Sequence, residues 1–181
     1  MKLRSINRIS IFIWTLVISV GIIYLLNVNK QRDNAISQYE IAVEISSSTF
    51  DLSVLTSDYL LNHSPRTIQQ WNIKHQHLKH LIASNNIEES LTFDIYLKRL
   101  DSLFQTIKLS QKVYYDELTP KQRRSATNLF ITAIEMQSLS EDIQNIYLEE
   151  LKDASNQLTI DFYIFIGGII IFLIISSRMI L

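Results

Sequence analysis

Four cations stand at two helix starts in this chain: Arg66 follows Pro65, and Lys121, Arg123 and Arg124 follow Pro120. A helix start is the positive end of the helix dipole and normally draws acids, as Glu88 and Glu89 illustrate at another start. Cations gathered beside free backbone N–H groups suggest instead a site for a small anion, a carboxylate or an oxyanion, held by guanidinium forks and amides. The residues expected to line it are Arg66, Gln70, Trp71 and His75 on one helix, Asp58 and Tyr59 on the preceding one, and Arg123 and Arg124 at the second basic start. Tyr114-Tyr115-Asp116 approaches the same end. The plainer alternative is a solvated tip, screened by salt and empty of ligand.

The run Lys74-His75-Gln76-His77-Leu78-Lys79-His80 places His77 and His80 one turn apart, which raises a metal site. No Asp, Glu or Cys is close in sequence, and the lysines repel a cation. The expectation is therefore two exposed histidines, with His75 held in the core by a hydrogen bond. Trp71 falls on a seam position and is expected in the core, with ligand stacking as the lesser alternative. Enzymatic patterns are missing: there is no glycine-rich phosphate loop and no nucleophile–base pairing, and the neighbouring Glu149 and Glu150 fall on different helix faces. No cofactor is implied.

The elements that would position these residues are helical. Ser64-Pro65 and Thr119-Pro120 each read as a capping hydroxyl followed by proline at the first helical position. Thr119 with Gln122, and Asn86 with Glu89, also fit the reciprocal capping box. These starts predict four helices, over 9–62, 65–84, 87–118 and 120–178. Apolar residues recur at three-four spacing in each. The stripes are Ile36, Tyr39, Val43, Phe50 and Val54; Ile68, Trp71, His75, Leu78 and Ile82; Leu97, Leu100, Phe104 and Ile107; and Met136, Leu139, Ile143 and Ile146. Short connections make sequence neighbours antiparallel neighbours, so the predicted fold is all-α, an up-down-up-down four-helix bundle.

The outer helices run into apolar stretches, Ile9–Leu26 and Phe162–Ser176, each close to the ~17–25 residues needed to cross a bilayer. Lys2, Arg4 and Arg8 precede the first and Arg178 follows the second, so the positive-inside rule places both termini in the cytoplasm. The first run is longer than a signal-peptide core, and Asn27-Val28-Asn29-Lys30 offers no small-x-small cleavage site. The expected layout is a cytoplasmic end at 1–8, spans at 9–26 and 162–177, an exported domain at 27–161 and a cytoplasmic stub at 178–181. Gly167-Gly168 sits mid-span, where small residues admit a neighbouring helix or are simply tolerated. A net charge of -1 gives no nucleic-acid footprint. With no cysteine, the chain says nothing of its redox compartment.

One string carries a resemblance. Leu55-Thr56-x-Asp58-Tyr59-Leu60-Leu61, followed by Arg66-x3-Gln70-Trp71-x3-His75-x2-Leu78-x2-Leu81-Ile82, resembles the exported sensor region of bacterial membrane-bound histidine kinases that continue into PAS and kinase domains. The resemblance is clearest over 52–82. It implies a non-enzymatic sensor module of a two-component system in the bacterial inner membrane, with its middle in the periplasm. It also implies a homodimer with the first helix as the contact. The family's phosphoacceptor histidine would lie beyond Leu181, so none of His63, His75, His77 or His80 takes that role. Chemotaxis receptors and membrane diguanylate cyclases share the frame. A scaffolding membrane protein that binds a protein partner is the alternative from another class.

Overall fold

The structure, a computed structural model, describes the backbone of residues 2–62, 64–85, 90–108 and 119–180. Side chains before Phe12 and after Ile174, with those of Ile13 and Lys108, lie outside the description. Four helices and no strand occur among the described residues: α1 (Lys2–Asn62), α2 (Pro65–Ser84), α3 (Ser90–Lys108) and α4 (Pro120–Ile180). The chain is all-α. It divides into two units: unit 1 holds residues 1–38 and 148–181, and unit 2 holds Tyr39–Tyr147.

Local chemistry accounts for the start of α4. Thr119 and Gln122 form the expected capping box: the Thr119 N–H donates to Gln122 Oε1 at 2.8 Å, and the Gln122 N–H donates to Thr119 Oγ1 at 3.4 Å. Ser64 differs from expectation. It stands before Pro65 in extended conformation, but its side chain makes no capping bond, and its carbonyl accepts from the Ile68 N–H at 3.2 Å instead. That end is exposed, so water can serve the remaining N–H groups. α1 begins at Lys2, well before residue 9. The Asn86–Glu89 box, His63 and Tyr114-Tyr115-Asp116 lie outside the described residues.

In unit 2, the α2 stripe is buried as expected through Trp71, His75, Leu78 and Ile82, with Ile68 packed against it. The α3 stripe, Leu97, Leu100, Phe104 and Ile107, is wholly buried and is joined by Phe93. The α4 stripe is Ala126, Leu129, Ala133, Met136 and Ile143. Leu139 is half-buried and Ile146 is exposed; Tyr147 packs on the core in its place, because Ile146 falls on the outer side of the helix.

The largest departure is α1. Val43, Phe50 and Val54 are exposed, and Ile36 and Tyr39 are only half-buried. The buried face carries Ala42, Ile45, Ser48, Thr49, Leu52, Ser53, Thr56 and Tyr59. Small and hydroxyl side chains let neighbouring helices approach closely there. Their polar atoms are satisfied locally: Thr56 Oγ1 donates to the Leu52 carbonyl at 2.7 Å, and Thr49 Oγ1 donates to the Ser46 carbonyl at 2.8 Å.

Contacts within unit 2 descend along α1 as they ascend along α2: Asp58 meets Thr67, Thr56 meets Trp71, Asp51 meets Lys74 and Glu44 meets His77. α2 meets α3 through His75 with Leu97 and Trp71 with Phe104. α3 meets α4 through Arg99 and Glu135, and α4 meets α1 through Ser140 and Thr49.

In unit 1, the Tyr24 hydroxyl donates to Asp161 Oδ2 at 3.0 Å, and Trp14 stacks on Phe172. Gly21 lies against the Phe165 ring, where a Cβ would collide. Gly167 and Gly168 face open space. α4 is the one helix, among the described residues, that is long and apolar enough to cross a membrane, and none of its apolar window is buried.

Candidate functional site

An aromatic stack at the α1–α2–α3 meeting point gathers three of the eight candidate residues, Tyr59, Trp71 and His75, with Phe104 of α3. Trp71 has no exposed surface; its ring lies parallel to Phe104 at 3.9 Å and to His75 at 4.8 Å. Tyr59, also buried, is tilted against Phe104, with ring centres 5.0 Å apart. The Trp71 Nε1–H donates to Thr56 Oγ1 at 3.0 Å, which meets the demand a buried indole makes for an acceptor. Trp71 is a core residue.

His75 is buried beside it, with Nε2 3.1 Å from the Leu97 carbonyl oxygen. A carbonyl can only accept, so Nε2 carries the proton and Nδ1 is the unprotonated nitrogen. Burial, the dominant influence, pushes the His75 pKa down; the Leu97 bond and the nearby Asp101 act upward, and Lys79 adds to the lowering. Burial pushes the Tyr59 hydroxyl upward.

Asp58 of α1 is bonded to the first turn of α2. Its carboxylate accepts from Thr67 Oγ1 at 2.5 Å and from Asn62 Nδ2 at 2.6 Å. The acid that the first turn of α2 lacks in sequence is thus supplied from α1, where it offsets the helix dipole. The Thr67 bond first, and the Asn62 bond second, hold its pKa below the usual carboxylate range. A carboxyl with a depressed folded-state pKa contributes stability above the ordinary carboxylate range, and loses it as pH falls through the lowered value. Asp58→Asn is expected to lower the melting temperature at neutral pH and to flatten the acid limb of the stability curve, measured by circular dichroism from neutral to strongly acid pH. An unchanged acid limb would contradict this role.

The remaining candidates, Arg66, Gln70, Arg123 and Arg124, are exposed. Among the described residues, two cavities are lined by none of the eight. One, of about 350 Å³, is bounded by Lys79, Ile82, Asn85, Ser90, Asp94 and Leu97 in unit 2. The other is an apolar groove of about 450 Å³ in unit 1, bounded by Ile22, Leu25, Leu26, Leu158, Phe162 and Tyr163.

His77 Nε2 is 3.2 Å from Glu44 Oε1, an acid from α1 that sequence proximity did not bring to notice. Among the described residues no group of three or more His, Cys, Asp or Glu is placed to hold a metal ion. Sequence spacing also missed the cross-helix hydroxyls Thr56 and Thr67, because nothing in the local pattern of α1 or α2 points to a partner on the other helix. No family model, curated protein or solved structure matches the chain.

Proposed function

We propose that this chain is a membrane-anchored sensor module: an antiparallel four-helix bundle on the outer side of a bacterial cell membrane, tethered by two spans, that passes a stimulus inward through α1 and α4. The observation that carries the reading is α4. It is unbroken from Pro120 to Ile180, contributes Ala126, Leu129, Ala133 and Met136 to the core of unit 2, and ends in an apolar window with no protein covering it. A helix shared in this way conveys displacement rather than absorbing it.

The α1–α4 seam supports movement. Thr49 Oγ1 and Ser140 Oγ lie 2.7 Å apart, yet each also has a carbonyl on its own helix, Ser46 at 2.8 Å and Gln137 at 2.6 Å. Breaking the link between helices leaves neither hydroxyl unsatisfied, so the shift costs little of the ~1–3 kcal/mol usually lost with a buried polar bond. Buried residues of the two helices include small ones, Ala42, Ser48 and Ser53 on α1 and Ala126 and Ala133 on α4. Small sliding or rotation between two discrete arrangements is the mechanism this favours.

A scaffolding role is the second reading, favoured by the exposed apolar side chains of unit 2, Phe130, Ile131 and Ile134 among them. Fusing the full chain to a reporter output after Leu181 and inserting residues after Leu151 separates the two. Two inserted residues turn α4 by about 200° and are expected to change the output sharply, whereas seven return it nearly to phase and restore the output. An output indifferent to phase would favour the scaffold.

A further inference from the structure

The 350 Å³ cavity of unit 2 lies where α2 ends and α3 begins. Two opposite charges line it, Lys79 from α2 and Asp94 from α3. They do not pair with each other. Asp94 Oδ2 is held instead by Lys98 Nζ at 2.6 Å, one turn along its own helix, and Lys98 is not part of the cavity wall. Lys79 is exposed and has no ion-pair partner among the described residues.

The rest of the wall divides into a polar and an apolar part. Asn85 Nδ2 donates to the Leu81 carbonyl at 2.8 Å and to Ser84 Oγ at 3.2 Å, so both of its amide hydrogens are used and its Oδ1 is left to accept. Ile82 and Leu97 are buried core residues that also supply apolar surface to the cavity. The end of α2 and the start of α3 bring the negative pole of one helix dipole and the positive pole of the other to the same place.

We infer that this cavity binds a small zwitterion of the α-amino-acid class, with its carboxylate on Lys79, its ammonium on Asp94 and Asn85 Oδ1, and its side chain against Ile82 and Leu97. A ligand with a single charge leaves one of the two wall charges unanswered, and a neutral ligand uses neither. The volume is at the small end of the range for ligand cavities, which suits a single amino acid. Water reaches both charges, so the contacts are weakened and a Kd of about 0.1–1 mM is expected. Leu97 joins the cavity to the aromatic stack: its carbonyl accepts from His75 Nε2 at 3.1 Å, and His75 lies against Trp71 at 4.8 Å. As the stimulus of the module the ligand rests on the sensor reading above; as a binding site the cavity stands without it.

Calorimetric titration of each of the common free amino acids into the full chain in detergent micelles tests the site. At least one is expected to bind. Its amide and its deaminated acid, each lacking one charge, are expected to bind about tenfold or more weakly. Lys79→Gln and Asp94→Asn are expected to weaken binding by the same factor while keeping the helical circular dichroism of the parent. Lys98→Gln, which releases Asp94, is expected to bind at least as tightly, and Arg66→Ala as tightly as the parent. No binding of any amino acid by about 10 mM, or binding indifferent to the loss of either charge, would overturn the inference. The reporter fusion answers the other question separately: a bound amino acid that leaves the output unchanged fails the sensor reading and not the site.

Discussion

Trp71→Ala is expected to cost unit 2 about 3–5 kcal/mol, the range for deleting a large buried aromatic side chain. The ring has no exposed surface, stacks on Phe104 at 3.9 Å and 6°, and stacks on His75 at 4.8 Å and 10°. Its neighbours come from α2 and α3, with Thr56 from α1 on its N–H. Collapse onto the vacated space would have to move several helices together, so the cavity stays open and the cost stays near the upper end. Trp71→Phe tests the polar part separately. Thr56 Oγ1 still donates to the Leu52 carbonyl, so losing the indole donor costs only about 1 kcal/mol beyond the change in volume. Urea unfolding of the full chain in detergent, followed by helical circular dichroism, measures both. A loss below about 1 kcal/mol for Trp71→Ala would show that the stack is not the centre of the core.

The second large effect is on pH. His75 is buried and uncharged, with its pKa below the ordinary value of 6.5. A histidine of this kind contributes stability above its unfolded-state pKa, and that contribution is lost as pH falls toward the lowered folded value, because the unfolded chain binds the proton more readily. Stability should therefore fall on mild acidification by up to about 1.4 kcal/mol per pH unit for the one proton. The charged groups around it do little to offset this. Asp101 from α3 favours the charged form and Lys79 from its own helix opposes it. The acids that α1 turns toward α2, Glu44 and Asp51, are paired with His77 and Lys74, and Glu135 of α4 faces Arg99. His75→Leu removes the titrating group while the Leu97 carbonyl keeps its place within α3. The variant is expected to show a flat stability profile between about pH 5 and 7, where the parent chain declines. Trp71 fluorescence, in a Trp14→Phe background, follows the change beside the ring itself. A parent profile that is already flat, or a variant that still declines, would contradict the assignment.

How much of this was legible in the sequence depended on the kind of contact. The stripes on α2 and α3 could be read because each has a single apolar face, and Trp71, His75, Leu97 and Phe104 fell where spacing put them. α1 could not be read in the same way, because it has two such faces. Hydropathy ranks Val43, Phe50 and Val54 above Thr49, Ser53 and Thr56, yet the second group is buried. What decided it was the close approach of neighbouring helices, which favours small side chains, and the ability of each hydroxyl to bond a carbonyl one turn back. The role of Asp58 was hidden for a related reason: it serves α2, whose own first turn shows only Arg66. Proline and the Thr119–Gln122 pair marked helix starts correctly because they act within a few residues of one another.

On the proposed reading, unit 2 stands outside the membrane while both ends of the chain lie within the cell. Single cysteines introduced into this cysteine-free chain, labelled in intact cells with a membrane-impermeant maleimide, test it most directly. Gln70→Cys and Lys121→Cys are expected to label at once, and Lys2→Cys and Arg178→Cys only after the membrane is opened. Labelling of the two terminal positions in intact cells, or protection of Gln70→Cys and Lys121→Cys until lysis, would contradict the account.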